Sequence, residues 1–211
     1  MTDKRKTMID AHPGGISLTK RLLSLSGKNI EGKCRKLLDL GAGKGESVEF
    51  LRSAGWDARG IDLVCQKNSE TVKEMDMRNL KYETSSFDIC LAECSLSGCG
   101  DGAGALKEAY RVLRPEGMLL VSDVYFQKEE APALSMGGSL TKERWFLEFL
   151  QAGFEICCWE DETSLWREFF LESLWNGNAD ETCVEMFREY GKAKCGYFLA
   201  VLKKGGVHGL I

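Results

Sequence analysis

Three glycines at alternate positions, Gly41, Gly43 and Gly45, separate an apolar run from an amphipathic one, and no other stretch constrains the chain as much. Before them, Leu37, Leu38 and Leu40 make a short segment of strand character. Beyond them, Val48, Leu51 and Ala54 recur at helical spacing, and Gly55 stands where that helix would stop. The pattern predicts strand, tight turn, helix. A turn without β-carbons lets the backbone approach a ligand closely, and the helix that follows aims its first N–H groups at the same place.

The residue after the third glycine narrows the ligand. A dinucleotide fingerprint would place glycine at position 46, where this chain has Glu46. A carboxylate at a helix start is a poor neighbour for a pyrophosphate and a reasonable one for a ligand with a cationic end. Asp39 adds a second carboxylate just ahead of the turn. Gly60-Ile61-Asp62-Leu63 reads as the end of a second strand, with Asp62 about 20 residues beyond Gly41, the distance at which a carboxylate accepts both ribose hydroxyls of a nucleoside. A nicotinamide-dependent dehydrogenase fails on Glu46 and on the missing catalytic pair.

Four strings in order, Leu-Asp-Leu-Gly-Ala-Gly-Lys-Gly from Leu38, Gly-Ile-Asp-Leu from Gly60, Phe-Asp-Ile-Cys from Phe87, and Ala-Tyr-Arg-Val-Leu-Arg-Pro-Glu-Gly from Ala109, resemble the class I S-adenosylmethionine-dependent methyltransferases. Within that family the pattern is similar to the broad group that includes ubiquinone/menaquinone-biosynthesis methyltransferases. The resemblance implies a Rossmann-like α/β fold: a mostly parallel seven-stranded sheet of order 3-2-1-4-5-7-6, strand seven antiparallel, with helices on both faces. It also implies S-adenosyl-L-methionine as cofactor and S-adenosyl-L-homocysteine as product. The cofactor-binding positions carried over are Asp39, Gly41, Ala42, Gly43, Asp62, Leu63, Asp76, Met77 and Ala92. Asp76 would accept from the adenine amine with Met77 beside it; the alternative is a loop aspartate capping something local.

With 211 residues, 44% of them hydrophobic and 28% charged, the chain suits one soluble α/β domain. A net charge of −4 argues against a nucleic-acid partner, and no apolar run has the length of a membrane span. No signal-peptide core follows the charged N-terminus, so a cytoplasmic location is expected. Nine cysteines, an odd number, point to a reducing compartment without a disulfide framework, and Cys90, Cys157 and Cys158 are expected as small hydrophobes. With no Cys-x-x-Cys and only His12 and His208 as histidines, no metal site is expected. Oligomeric state is left at monomer or homodimer.

Residues 1–33 form an N-terminal cap, with a turn at His12-Pro13-Gly14-Gly15 and a helix capped by Ser17 bearing Leu18, Leu22 and Leu25. The resemblance places such a helix over the cofactor; the plainer alternative is that it covers the sheet. The cofactor-binding domain spans 34–204. Only residues 64–69 connect strands two and three, so that link is a loop or one helical turn. Strand four covers Phe87 to Ala92, a helix with Leu106, Ala109, Tyr110 and Leu113 ends at residues 114–117, and strand five covers Met118 to Val124. The polar segment 127–139 is a candidate lid. Thr141 caps a helix through Leu150, strand six follows at Phe154 to Trp159, a helical insertion spans about 164–191, and strand seven covers Tyr197 to Leu202. The tail, 205–211, is expected to be mobile.

Chemistry is expected where the glycine turn faces the end of strand four, Ala92-Glu93-Cys94-Ser95. In-line methyl transfer asks chiefly for alignment and exclusion of water, and needs a base only when the nucleophile arrives protonated. Glu93 is a candidate to hold the cofactor's amino group or act as base, or is a solvated loop carboxylate. Cys94 is a second weak catalytic candidate; together with Cys99 and His12 it is also a candidate on the substrate side. Two thiols there would suit a soft metalloid, and arsenite methyltransferases share the strings at Arg111 to Pro115 and Ser122 to Val124, although their acceptor cysteines do not map onto this chain. Methyltransferases of nucleobase amines carry an Asn/Asp-Pro-Pro-aromatic run where this chain has Ala-Glu-Cys-Ser. The expectation is a methyltransferase acting on a small molecule. The alternatives are a metalloid or thiol methyltransferase, and a protein that binds S-adenosylmethionine without chemistry.

Overall fold

A computed structural model describes residues 12–27, 35–64, 70–127, 141–176 and 181–206. In chain order the elements are α1 (Gly15–Leu25), β1 (Lys36–Leu40), α2 (Glu46–Ser53), β2 (Asp57–Asp62), β3 (Val72–Glu74), β4 (Phe87–Glu93), α3 (Gly102–Val112), β5 (Leu113–Phe126), α4 (Lys142–Gln151), β6 (Phe154–Asp161), α5 (Thr163–Trp175), α6 (Glu181–Lys192) and β7 (Cys195–Lys204). The strands form one sheet of order β3-β2-β1-β4-β5-β7-β6, with β7 antiparallel to both its neighbours, as expected.

Both faces of this sheet are covered, so its central strands are apolar throughout rather than alternating. Leu37, Ile89, Leu91, Leu120, Leu199 and Val201 point to one side, where they meet Leu18, Leu22 and Leu23 of α1, Val48 and Leu51 of α2, and Trp166, Phe187 and Tyr190 of α5 and α6. Their sequence neighbours Leu38, Cys90, Leu119, Val121, Phe198 and Ala200 point to the other, against Ala105, Leu106 and Ala109 of α3 and Trp145 and Phe149 of α4. Period-two alternation within one strand thus feeds two cores. At about 1.5–3 kcal/mol for each large apolar side chain fully buried, these two layers dominate the fold's stability.

Some boundaries differ from the sequence reading. The first helix starts ahead of Ser17: Gly14 is its N-cap, at φ 74°, with Gly15 also at positive φ, and no side chain caps it. Glycine reaches that region without the β-carbon penalty, so the turn can hand over to the helix earlier than a serine cap would allow. α3 stops at Val112, and Leu113, paired with Phe87, already belongs to β5. Pro115 disfavours helical geometry at Arg114, and the strand kinks where Glu116 takes φ 63°. Of the cysteines expected as small hydrophobes, Cys90 is buried, but Cys157 is exposed on the edge strand β6. Gly205 is fastened, its N–H to the Gly153 carbonyl and its own carbonyl to the Tyr110 hydroxyl. The candidate lid beyond Gln127, the link at 65–69, the tail from 207 and His208 lie outside the described residues. Among the described residues no helix is long and apolar enough to cross a membrane.

Candidate active site

The parallel strand order reverses between β1 and β4, and the glycine turn sits at that switch point. The turn is fastened to the end of β2. The N–H groups of Gly41 and Ala42 both donate to the Ile61 carbonyl at 2.9 Å, and that of Gly43 donates to Asp62 Oδ2 at 2.9 Å. These three donors are therefore used within the fold rather than presented to a ligand. Asp62 Oδ1 accepts from the Val64 N–H at 3.1 Å. A carboxylate has about four acceptor positions, so two such bonds hold Asp62 rigid and leave it capacity for a ligand's hydroxyls.

The glycines differ in what they make room for. At Gly41, φ 82°, a β-carbon would lie 2.5 Å from Ser95 Cβ and 3.4 Å from Met77 Cε, so the turn packs directly on both residues. At Gly43, φ 52°, nothing among the described residues lies within 4 Å of that position: the turn's open side is here. Ala42 packs back on β2, 2.7 Å from where a Gly60 β-carbon would be, and the Ala92 side chain belongs to the core. Leu63 is half exposed past the end of β2. Asp76 is engaged locally, paired with Arg78 at 2.7 Å and accepting its backbone N–H, and the Arg78 guanidinium holds its carboxyl below the usual range.

Behind the turn lie two buried carboxylates. Asp39 is 3% exposed; burial first, then the charges of Glu93 and Asp62, push its pKa well up, and no hydrogen bond among the described residues offsets this. Glu93, the last residue of β4, is buried rather than solvated. Its Oε1 and Oε2 accept from Thr19 Oγ1 at 3.2 and 3.0 Å, and Oε2 also accepts from Ser47 Oγ at 3.2 Å. Burial raises it from 4.5 to about 7 in spite of those two donors. His12 Nε2 lies 3.6 Å from Glu93 Oε2, and burial lowers the imidazole. So β1, β4, α1, α2 and the turn before α1 each contribute one polar side chain to this cluster. Thr19 and Ser47 were not singled out from sequence. The available signal was a hydroxyl on the apolar face of an amphipathic helix, Thr19 between Leu18 and Leu22 and Ser47 beside Val48.

The thiols are held apart in function. Cys94, at φ 52°, places Sγ 3.2 Å from the Tyr197 hydroxyl, whereas Cys99 Sγ donates to the Leu96 carbonyl at 3.1 Å. Burial pushes both thiols up, so neither offers the thiolate that a soft acceptor would need. Asp123 pins the intervening loop, accepting from the Ser97 N–H at 2.9 Å and hydroxyl at 2.5 Å. Among the described residues no group of three or more His, Cys, Asp or Glu side chains is placed to hold a metal ion.

This crevice fits an adenosyl sulfonium. Asp39 is a buried carboxylate with no hydrogen bond among the described residues to offset its burial, suited to a cationic end. Ser95 Oγ is buried against the turn without a partner among the described residues. Gly43 leaves open space where a ligand can lie on bare backbone. Comparison with known proteins agrees. Residues 38–121 match the model of the methyltransferase domain family. The chain is 30% identical over 96 residues to malonyl-[acyl-carrier protein] O-methyltransferase of Erwinia billingiae, covering 42% of this chain and 38% of that protein. It is 27% identical over 159 residues to the ubiquinone/menaquinone biosynthesis C-methyltransferase UbiE of Bdellovibrio bacteriovorus, covering 63% and 66%. The chain thus spans from about a third to about two thirds of these relatives' lengths. Among solved structures, the [4+2]-cyclase SpnF superposes with a TM-score of 0.71 at 21% identity over 94% of this chain and 84% of that one, a likeness of fold alone. Over residues 38–121 the chain is thus similar to the methyltransferase domain family, and its sheet order and its glycine turn with two carboxylates fit the class I S-adenosylmethionine-dependent methyltransferases.

Proposed function

We propose that the chain transfers a methyl group from S-adenosylmethionine to a small-molecule acceptor. The observation that carries this reading is the pairing of an open Gly43 with Asp39, buried and without a hydrogen bond among the described residues to offset it, at the β1/β4 switch point. When bound, the cofactor supplies an electrophilic methyl on a cationic sulfur. The chain's residues do the rest. Asp62, braced by Gly43 and Val64, would hold the sugar; Asp39 and Glu93, whose burial disfavours their charged forms, are two carboxyl groups that a cationic ligand would favour as carboxylates; and α1 with the β4 end would exclude water, so that alignment supplies most of the rate. The similar proteins include an O-methyltransferase of malonyl-[acyl-carrier protein] and a C-methyltransferase of ubiquinone/menaquinone biosynthesis, so the acceptor is read from this chain's own groups below.

The test is transfer of labelled methyl from S-adenosylmethionine to a panel of phenols, alcohols, amines and thiols. Turnover of any of these supports the reading. Tight binding of S-adenosylhomocysteine with no turnover of any acceptor, including those in a lysate of the source cells, would instead indicate a binding protein.

A further inference from the structure

Holding a cofactor does not require the arrangement between His12 and Glu93. His12 Nδ1 lies 3.2 Å from the carbonyl oxygen of Pro13. A carbonyl only accepts, so Nδ1 carries the proton, and in the neutral ring Nε2 carries the lone pair. That lone pair faces Glu93 Oε2 at 3.6 Å. Two acceptors opposed across this gap repel one another until a proton enters it. Thr19 and Ser47 donate to Glu93 and favour its carboxylate form, Asp39 on β1 is electrostatically coupled to it, and the charge of Glu46 at the start of α2 raises His12 against the effect of burial. Beyond Glu93, Cys94 and Tyr197 are buried and neutral. The imidazole keeps 21% of its side chain exposed and the carboxylate 4%, so one member faces outward while the other anchors it.

We propose that His12, anchored by Glu93, accepts the proton of the methyl acceptor, and that the acceptor is therefore a compound whose attacking oxygen or nitrogen arrives protonated, an alcohol, a phenol or an amine. This rests on the methyl-transfer reading. The acceptor's proton passes to the His12–Glu93 pair and comes to rest in the gap between Nε2 and Oε2. The electron pair left on oxygen or nitrogen forms the bond to the methyl carbon, and the carbon–sulfur pair returns to sulfur. A thiolate or a tertiary amine, with no proton to lose, would gain nothing from this pair. Burial lowers His12, so its basic form is present at neutral pH, while a proton on Glu93, at about 7, would close the gap from the other side. Rate should therefore rise with pH through about 7.

The chain has two histidines, so in the full-length His208→Gln protein the ring of His12 is followed alone by nitrogen NMR with S-adenosylhomocysteine bound. The expected result is Nδ1 protonated throughout, Nε2 alone titrating, and proton affinity changed about tenfold or more by Glu93→Gln. Mixed tautomers, or the same titration in both proteins, would overturn the proposal. Should Glu93→Gln fail to fold, the more exposed His12→Gln serves: about a hundredfold lower kcat on a phenol or amine and a flattened pH profile. An undiminished kcat, or a pH profile that still rises through about 7, would also overturn it. Failure of the homocysteine product to bind would remove the methyl-transfer reading itself, whereas binding with an uncoupled His12 removes only this inference.

Discussion

Thr19 Oγ1 donates to both carboxylate oxygens of Glu93, at 3.2 and 3.0 Å, across 74 residues of sequence. Through this contact α1 is fixed to the C-terminal end of β4. The same helix is tied to β6 and the start of α5, where Arg21 pairs with Glu160 at 2.6 Å and Glu162 at 2.5 Å. Those surface pairs are worth little individually; the buried hydroxyl is the stronger tie.

Replacing Thr19 by valine keeps the shape and removes the donor. Glu93 then loses a partner at both oxygens, and a buried group left short of a hydrogen bond costs about 1–3 kcal/mol. Urea unfolding should show that loss at neutral pH. Thr19→Ser, which keeps the hydroxyl, should show much less.

Glu93 also sets a pH dependence. Its folded pKa, about 7, is above the unfolded value of 4.5, so its contribution is complete below 4.5 and is lost as pH rises through 7. The difference corresponds to at most about 3 kcal/mol. Asp39 acts in the same direction, and His12, lowered from 6.5, acts in the opposite one. The unfolding midpoint of Glu93→Gln should therefore fall less than that of the wild type between pH 5 and 7. Parallel curves would contradict the burial of this carboxylate.

The two glycines of the turn separate folding from binding. Gly41→Ala would place a β-carbon 2.5 Å from Ser95 Cβ at φ 82° and should destabilise the protein markedly. Gly43→Ala meets no neighbour within 4 Å, so its cost is confined to the left-handed backbone, about 1–2 kcal/mol. It should fold and yet bind S-adenosylhomocysteine weakly, because the added methyl enters the open side of the turn. Calorimetry on the folded variant checks this.

Thiol reactivity follows burial. Among the described cysteines, Cys157 should label first with a thiol reagent at pH 7, while Cys90, Cys94, Cys99 and Cys195 stay protected until unfolding. Peptide mapping after brief labelling measures the order. Early labelling of Cys94 would revive a soft-acceptor role for it.

Local signals carried most of the fold. The turn at Gly41 to Gly45, the Thr141 cap, whose side chain accepts from the Arg144 N–H, and the stop at Gly153 are all written in neighbouring residues. Boundaries slipped where a tertiary partner decided: Leu113 joins β5 because Phe87 pairs with it, and α1 begins where two glycines permit it. The candidate site was legible in part. Asp39 and Asp62 stand out by their spacing from the turn, and the pair of Asp76 with Arg78, two residues on, fits the local alternative weighed for that aspartate. Nothing local tells that Glu93 is buried under Thr19 and Ser47, because that comes from α1 and α2 packing on the end of β4.

The account depends on an adenosyl ligand in the crevice between β1 and β4, with Asp62 holding its sugar. The most direct measurement is calorimetric titration of S-adenosylhomocysteine into the wild-type chain and into Asp62→Ala. Saturable one-to-one binding in the wild type, weakened tenfold or more by the substitution, is the predicted result. A wild-type chain that gives no binding, or a variant that binds as tightly, would contradict it.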